Sequence, residues 1–408
     1  MAERNGINML DVKQRNRSAI LELIYKNNAL PRKEIATALG LTPAAITLIT
    51  TDMINEGLLY ESSIKQVQRR GRREVLLKIK SSNYLSIGIN ITKHHFELTL
   101  MDLTQKLLYR SRYHLPEATS EHNVINRILQ SVKDEILMSD MIGRKKIIGV
   151  GVSILGIVDS ENGISVNSYG ILPNNFALGE YVSNSLSLPC LVVNNICACA
   201  NGEFFLSKFA AKGDVLFIKY GPGVGAATID IHQAFDPYSY EPVEIGHIIM
   251  EPYGRPCVCG NRGCLETIVS YDSIAQSVID LNFKTGSGSI QRSESIREKI
   301  SREYTNSEIT EILSLYNDGE RGIETELNRV VYYLALAIKN TLTLMKPEDV
   351  ILYGPIFENE KFRDALYDEL KVLNIDNQVH LSANTKELEA IGPATTMISN
   401  FLSTGGNI

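Results

Sequence analysis

A histidine and three cysteines fall close together in the stretch "EIGHIIMEPYGRPCVCGNRGCLE", residues 244–266. His247, Cys257, Cys259 and Cys264 offer one imidazole nitrogen and three thiolates, the ligand set of a closed tetrahedral zinc site. Because four protein ligands fill a tetrahedron, no position stays open for a catalytic water, so the pattern predicts a structural zinc rather than a catalytic one. The alternative is a group of incidental or buried cysteines.

The first 81 residues predict a winged helix-turn-helix. The first predicted helix has apolar residues at helical spacing. The second lies in "PRKEIATALG", bounded by Pro31 and Gly40. The third lies in "LTPAAITLITTDMINEGLL" and ends at Gly57. The four-residue turn "GLTP" between the last two helices is typical of a helix-turn-helix. Two β-prone stretches, 58–61 and 74–79, then enclose a basic tip, as in a wing.

The residues expected to meet DNA lie on the third helix and on the wing. The third helix contributes Thr42, Pro43, Ala44, Thr47, Leu48 and Thr51. These carry no charge, so base reading would depend on hydroxyl hydrogen bonds and contacts with thymine methyl groups. The wing contributes arginines suited to a narrow minor groove, namely Arg69, Arg70, Arg72 and Arg73. The alternative is a small helical domain that binds protein.

Charge is divided unevenly along the 408-residue chain. Residues 1–80 hold 14 Lys and Arg against 8 Asp and Glu, whereas the other 328 residues hold 27 against 39. The basic first part therefore predicts contact with a polyanion there alone. The longest apolar run, "VVYYLALAI", is about half the length of a membrane span. The start of the chain lacks the pattern of a secretory leader, so we expect a cytoplasmic protein with reduced thiols, which favours metal over disulfide.

From about residue 82 the pattern changes to strands that alternate with helices, which predicts an α/β fold. Buried strands lead into glycine-bearing turns at "IIGVGVSILGIVD" and "DVLFIKYGPGVGAATI". A third buried strand, "PCLVVNN", precedes the helix "ICACANGEFFLSKFA". The polar stretch 284–325 predicts an exposed loop followed by short helical pieces.

The cluster "EIGH…CVCGNRGCLE", together with the winged helix, "VVNNICACANGE" and "YGPGVGAA", resembles the ROK family of repressors, open reading frames and sugar kinases. The order matches along essentially the whole chain, as in the xylose-type and N-acetylglucosamine-type repressors. The resemblance implies an actin-like, ribonuclease-H-like body of two lobes with a sugar-sized cleft. It implies a DNA-binding domain at 1–81, a first lobe at 82–195 and 386–408, and a second, zinc-bearing lobe at 196–385.

The resemblance also implies which residues bind the sugar. In the family's sugar-binding members, two glutamates and the zinc-bound histidine hydrogen-bond sugar hydroxyls, and Glu244, Glu266 and His247 match them. Carboxylates suit this task because each accepts hydrogen bonds from neighbouring hydroxyls. Asn194 and Asn195 follow the buried strand and match the family's Asn-Asp pair. The alternative is that both glutamates are surface or helix-end charges.

Three segments of the chain depart from the pattern of the family's kinases. Asn195 stands where those kinases have the aspartate that takes the proton, and an amide cannot act as a base near neutral pH. Asn90, Ile91 and Thr92 replace parts of the Asp-x-Gly-Gly-Thr turn that holds ATP phosphates and magnesium. Pro355 replaces a glycine that approaches the nucleotide. The resemblance therefore implies sugar binding without phosphoryl transfer.

The expected function is that of a bacterial transcriptional regulator, a repressor, that binds double-stranded operator DNA and responds to a sugar or phosphosugar. A homodimer or homotetramer is expected, because helix-turn-helix proteins usually read two half-sites related by symmetry. Two alternatives remain open. One is an active ATP-dependent sugar kinase with a DNA-binding domain, and the other is a regulator that responds to a protein partner instead of a sugar.

Overall fold

The computed structural model describes residues 9–65, 74–116, 121–207, 213–285, 306–382, 384 and 388–407. The chain divides into two compact units. Unit 1 comprises Met1–Lys208, Ala234–Ser239 and Glu389–Ile408, and unit 2 comprises Phe209–Gln233 and Tyr240–Leu388. This division differs from the predicted lobe boundary after residue 195, because the helix that follows packs within unit 1. The winged helix also belongs to unit 1.

The N-terminal part of unit 1 is a winged helix-turn-helix, as predicted. Its elements are α1 Met9–Asn27, β1 Leu30–Pro31, α2 Arg32–Leu39, α3 Pro43–Asn55, β2 Leu59–Lys65 and β3 Glu74–Ile79, with sheet order β1-β3-β2. Gly40 ends α2 in the left-handed conformation, with φ +63°. The Thr42 hydroxyl accepts from the Ala45 amide at 3.2 Å, which caps α3 with Pro43 at its first position. The wing arginines Arg69, Arg70, Arg72 and Arg73 lie outside the described residues.

A buried arginine joins the winged helix to the C-terminal tail. Arg17 of α1 donates through Nε to the carbonyl of Gly405 at 2.9 Å. Its two terminal nitrogens donate to the carboxylate of Glu56, just after α3, at 2.8 and 2.5 Å. Because such forked, charge-assisted pairs are geometrically specific, α1, the end of α3 and the tail are held in a fixed arrangement.

The rest of unit 1 is built on a five-stranded sheet of order β10-β7-β4-β5-β6. Its strands are β4 Tyr84–Ile91, β5 His95–Asp102, β6 Leu107–His114, β7 Lys146–Ile154 and β10 Cys190–Asn194. A small hairpin, β8 Ile157–Asp159 and β9 Ile164–Asn167, follows β7. The helices are α4 Glu121–Val132, α5 Leu178–Leu186, α6 Asn195–Ser207 and the C-terminal helix α12 Leu388–Ser403.

The C-terminal helix α12 returns to this first sheet, as the resemblance implied. Ser86 of β4 donates to the carbonyl of Ala394 at 2.8 Å, and Thr99 of β5 donates to that of Ala390 at 3.1 Å. These hydroxyls are fully buried, and each is satisfied by a backbone carbonyl of α12. The helix is therefore an integral layer of unit 1.

Unit 2 repeats the same topology with order β13-β12-β11-β14-β15. Its strands are β11 Val215–Tyr220, β12 Val224–Ile229, β13 Tyr240–Val243, β14 Asp349–Tyr353 and β15 Val379–Leu381. Its helices are α7 Glu266–Val269, α8 Tyr271–Thr285, α9 Asn306–Asn317, α10 Arg321–Met345 and α11 Glu360–Val372. In each sheet an antiparallel meander of three strands is extended by two parallel strands, which is the ribonuclease-H-like arrangement that was predicted.

Among the described residues, no single helix is long and apolar enough to cross a membrane, although α2 and α3 taken together pass the same test with a 118° bend between them.

Candidate functional site

Unit 2 brings the four predicted metal ligands together. The ligand atoms of His247, Cys257, Cys259 and Cys264 all lie within 4.8 Å of one another. His247 Nδ1 lies 3.6 Å from Cys257 Sγ, and Cys259 Sγ lies 3.6 Å from Cys264 Sγ. Ordinary zinc bond lengths in a tetrahedron separate nitrogen from sulfur by about 3.6 Å and sulfur from sulfur by about 3.8 Å. The chain therefore holds a His/Cys group that can bind a metal ion, and two of its ligand separations are close to those values.

The backbone around the cysteines is fixed by hydrogen bonds and by one glycine. Cys257 N–H donates to Asn261 O, and Gly263 N–H donates to Arg255 O, both at 2.8 Å. Gly263 has φ +66°, and a Cβ there would lie 1.5 Å from the carbonyl oxygen of Glu251. Only glycine satisfies both restrictions, so Gly263 sets the path of the chain into the last cysteine.

A carboxylate ties the same loop to helix α10. Glu251 accepts from Arg329 Nη2 at 2.8 Å and from the Tyr333 hydroxyl at 2.7 Å. Partial burial acts to raise the pKa of Glu251, but these two hydrogen bonds outweigh it and the pKa is lowered. The metal-binding loop is thus anchored by an ionised group at a point separate from the cysteines.

Glu244 and Glu266 both lie close enough to His247 to interact with it electrostatically. Glu244 is exposed, and its Oε2 lies 3.7 Å from His247 Nε2. Glu266 begins α7 and is half-buried, and a Cβ on Gly223 would lie 2.4 Å from its Oε1. Burial raises the pKa of Glu266, while His247 and the backbone amide of Val224 lower it. The imidazole therefore faces Cys257 through Nδ1 and the Glu244 carboxylate through Nε2.

The glycine-rich turn "YGPGVGAA" makes room for the Glu266 carboxylate. In the structure Gly223 and Val224 in this turn line the Glu266 carboxylate. The glycine-rich sequence was the available signal, but it does not reveal which side chain the turn approaches.

Asn194 and Asn195 lie where β10 meets α6 in unit 1, and their amides differ. Asn194 Oδ1 accepts from Ile196 N–H at 2.7 Å, and its Nδ2 donates to Gly156 O at 2.7 Å. Asn194 therefore caps the helix start and ties it to the turn after β7. The Asn195 amide oxygen is buried and has no hydrogen-bond partner among the described residues. Because a buried acceptor without a partner is costly, it is a position where a ligand hydroxyl would be stabilised.

Asn90, expected from the resemblance to replace a kinase aspartate, has a structural role in unit 1. Asn90 is 2% exposed, and its Oδ1 accepts from the Ser153 hydroxyl at 2.8 Å. It lies opposite Glu97 in the β4–β5 register, where Glu97 pairs with Arg112 and Arg110 at 2.9 and 3.1 Å. Asn90 thus stabilises the sheet. In unit 2, Pro355 begins the 3₁₀ turn after β14.

The predicted DNA-reading face of α3 is exposed along its whole length. The exposed positions include all six predicted residues, Thr42, Pro43, Ala44, Thr47, Leu48 and Thr51. The hydroxyls of Thr47 and Thr51 donate to backbone carbonyls within the helix at 2.8 and 2.7 Å. While they make these bonds, the two hydroxyls can only accept a further hydrogen bond. Leu48, at 67% exposed, is the largest apolar side chain on this face.

The ROK family sequence model matches residues 86–387, which is most of the chain. The chain belongs to the ROK family. A winged helix-turn-helix DNA-binding model matches residues 13–60 of this ROK protein. Both predictions from the sequence are confirmed.

Among relatives of this ROK protein is the DNA-binding transcriptional dual regulator NagC of Escherichia coli strain K12. It is 30% identical over 355 residues, covering 86% of this chain and 82% of NagC. A crystal structure of a ROK family transcriptional regulator, a homologue of the E. coli MLC protein, has a TM-score of 0.79 at 22% identity. That likeness covers 97% of this chain and 98% of the other. The chain therefore has the two-part arrangement of the family's transcriptional regulators.

The body alone also resembles kinases of the family. The ROK hexokinase from Thermus thermophilus has a TM-score of 0.57 at 17% identity, covering 76% of this chain and 97% of the hexokinase. At that identity the likeness shows a shared fold. Since regulators and kinases share this body, the side chains of the site must distinguish the two functions.

Proposed function

We propose that the chain is a sugar-responsive transcriptional repressor that acts in the cytoplasm and has no kinase activity. Two features support this. The exposed, uncharged face of α3 is suited to reading the major groove. Asn195, in place of a carboxylate, offers a buried amide oxygen that can accept from a hydroxyl but cannot remove its proton. The second feature carries the proposal, because it separates binding from phosphoryl transfer.

The proposed effector is a sugar or phosphosugar. The proposed sugar-binding residues are Asn194 and Asn195 of unit 1 and Glu244, His247 and Glu266 of unit 2. An amide both donates and accepts, and a carboxylate accepts from pairs of hydroxyls, so this set suits a polyol. A half-buried carboxylate such as Glu266 strengthens discrimination, because it loses its hydrogen bond when a hydroxyl is absent.

The proposed metal is a structural zinc bound by His247, Cys257, Cys259 and Cys264. A bound zinc would hold the loop from β13 to α7, and so fix the two carboxylates relative to the imidazole. The proposed active form is a homodimer or homotetramer. This follows from the winged helix, since paired helices read two symmetric half-sites.

Two assays on one preparation decide between the regulator and the kinase alternative. The chain should retard DNA from upstream of its own gene, with an affinity that falls steeply with rising salt, because phosphate contacts release counterions. The same preparation, given ATP, magnesium and a hexose panel, should form no sugar-dependent ADP. Sustained ADP formation would establish the kinase, and absence of retardation at low salt would refute the repressor.

A further inference from the structure

Four aromatic side chains meet where the winged helix contacts the body, all within unit 1. We call Tyr25, Phe204, Phe205 and Phe235 the aromatic cluster. The Tyr25 ring lies 5.3 Å from Phe205 and 5.8 Å from Phe235, and Phe205 lies 5.0 Å from Phe235. Phe204 contacts both other phenylalanines edge to face. The energy of such edge-to-face pairs depends on ring orientation, so displacement of one ring changes the packing of the others.

Polar contacts fix the position of Tyr25. Its hydroxyl accepts from Gln105 Nε2, in the turn between β5 and β6, at 2.7 Å. Burial raises the pKa of Tyr25, against the opposing effect of the Gln105 hydrogen bond. The preceding residue on the same helix, Ile24, is buried in the described structure. Tyr25 thus connects α1 of the winged helix to the first lobe.

Polar contacts also fix the backbone of Phe235. Its carbonyl accepts from the Ser399 hydroxyl of α12 at 2.7 Å, and that hydroxyl accepts from Asn201 Nδ2 of α6 at 3.2 Å. Lys26 places its ammonium 4.9 Å from the centre of the Phe235 ring, in cation–π geometry. The Phe235 side chain is 4% exposed. It is therefore held from α1, α6 and α12 together.

Helix α6 connects the cluster to the proposed sugar site. Asn195, with its unpartnered amide oxygen, is the first residue of α6, and Phe205 lies ten residues further along. At 1.5 Å per residue the two are about 15 Å apart on one continuous helix. A shift at the start of a continuous helix is carried to its other end, because the helix backbone is hydrogen-bonded throughout.

The segment that carries Phe235 also connects the cluster to the other unit. Residues Ala234–Ser239 belong to unit 1, but the chain on each side, β12 and β13, belongs to the sheet of unit 2. Glu244 directly follows β13. Any displacement of unit 2 relative to unit 1 must therefore strain or move this segment.

We propose that the aromatic cluster couples sugar binding to DNA binding, with Phe235 as the positioning residue that acts through Tyr25 on helix α1. This rests on the proposed function, since it requires both ligands. Helix α6 connects the cluster to Asn195. The segment that carries Phe235 connects it, through β13, to Glu244. Neither Phe235 nor Tyr25 lies on the exposed face of α3. The cluster thus controls how strongly one ligand affects the other, rather than either affinity alone.

The test is the coupling factor, the ratio of DNA dissociation constants with and without sugar. The probe is the best binder among D-glucose, D-xylose, N-acetyl-D-glucosamine and the 6-phosphates of the two hexoses. Couplings are typically about 5- to 150-fold. We expect Phe235→Ala to reduce the factor below about twofold, with each single-ligand affinity within about threefold of wild type. Phe235→Leu, which keeps more apolar volume, serves if the alanine variant does not fold. Phe96→Leu, a buried phenylalanine elsewhere in unit 1, should keep the full factor.

A second readout uses the absence of tryptophan from the chain. Phe235→Trp places a sole indole in the cluster, and its emission should shift when the sugar is added. Tyr113→Trp, on β6 outside the cluster, should show no shift.

The outcomes separate this inference from the proposed function. If no sugar in the panel binds the wild-type chain, or no DNA is bound, the proposed function fails and the coupling with it. If wild type is coupled and both Phe235 variants keep the full factor, with only a lower melting temperature, the cluster is purely structural and this inference alone is overturned.

Discussion

Removing the proposed zinc is expected to weaken sugar binding strongly while DNA binding persists. His247 is both a predicted metal ligand and a predicted sugar contact, and Glu266 follows Cys264 by two residues. Without an ion, the loop that places these groups loses its tether. Hydrogen bonds to charged groups contribute about 1.5–3 kcal/mol each, so losing two would weaken sugar binding by more than about 100-fold. The winged helix belongs to unit 1, so DNA affinity without sugar should change little.

The measurement combines metal analysis, sugar titration and DNA retardation on Cys259→Ser and wild type. We expect about one zinc per wild-type chain and far less in the variant. If losing the ion lowers the free energy of unfolding by about 2.5 kcal/mol, the melting temperature should fall by roughly 5–10 °C, because a domain of this size loses about 2–4 °C per kcal/mol. Cys190→Ser is the matched control, because Cys190 lies on β10 and is not one of the four predicted metal ligands. Full sugar affinity in a metal-free variant would refute the role given to the metal.

Leu48→Glu is expected to reduce DNA affinity by about 100-fold without affecting sugar binding or the melting temperature. The side chain is 67% exposed at the centre of the predicted reading face, so the change removes little packing in the described structure. It replaces an apolar contact with a carboxylate facing a polyanion. Each lost base contact costs about 1–3 kcal/mol, and repulsion from the phosphates adds to this.

Leu344→Glu provides the control for this substitution. Leu344 is 81% exposed on α10 of unit 2, and its replacement changes the net charge by the same amount. It should leave DNA affinity within about twofold, since exposed charges beyond a Debye length of about 10 Å are screened. If both variants weaken DNA binding equally, the effect reports overall charge and α3 is not the reading helix.

The winged helix and the metal cluster could be predicted because their signals are local. Pro31, Gly40, Thr42 and Pro43 act on their own neighbours, and the structure places each at the helix boundary that it predicts. The four predicted metal ligands fall within 18 positions, so their residue types and spacing alone indicate a metal site. The repeated α/β topology was accessible through alternation of strands and helices.

The parts that could not be predicted depend on contacts between distant positions. Tyr25 and Phe235 are separated by 210 positions, and nothing local to either marks them as partners. Asn194 and Asn195 are the same residue type, yet one caps a helix and the other keeps an unpartnered oxygen. The placement of α6 in unit 1 likewise follows from packing, which a boundary drawn at the end of a strand does not capture.

The central claim is that one chain binds DNA and a sugar and that each ligand changes the affinity for the other. The direct measurement is a fluorescence anisotropy titration of labelled upstream duplex, with and without saturating sugar. The account predicts that sugar changes the DNA dissociation constant by at least about fivefold, and that DNA changes the sugar constant by the same factor, as linkage requires. Identical DNA affinity with the sugar shown to be bound would contradict it.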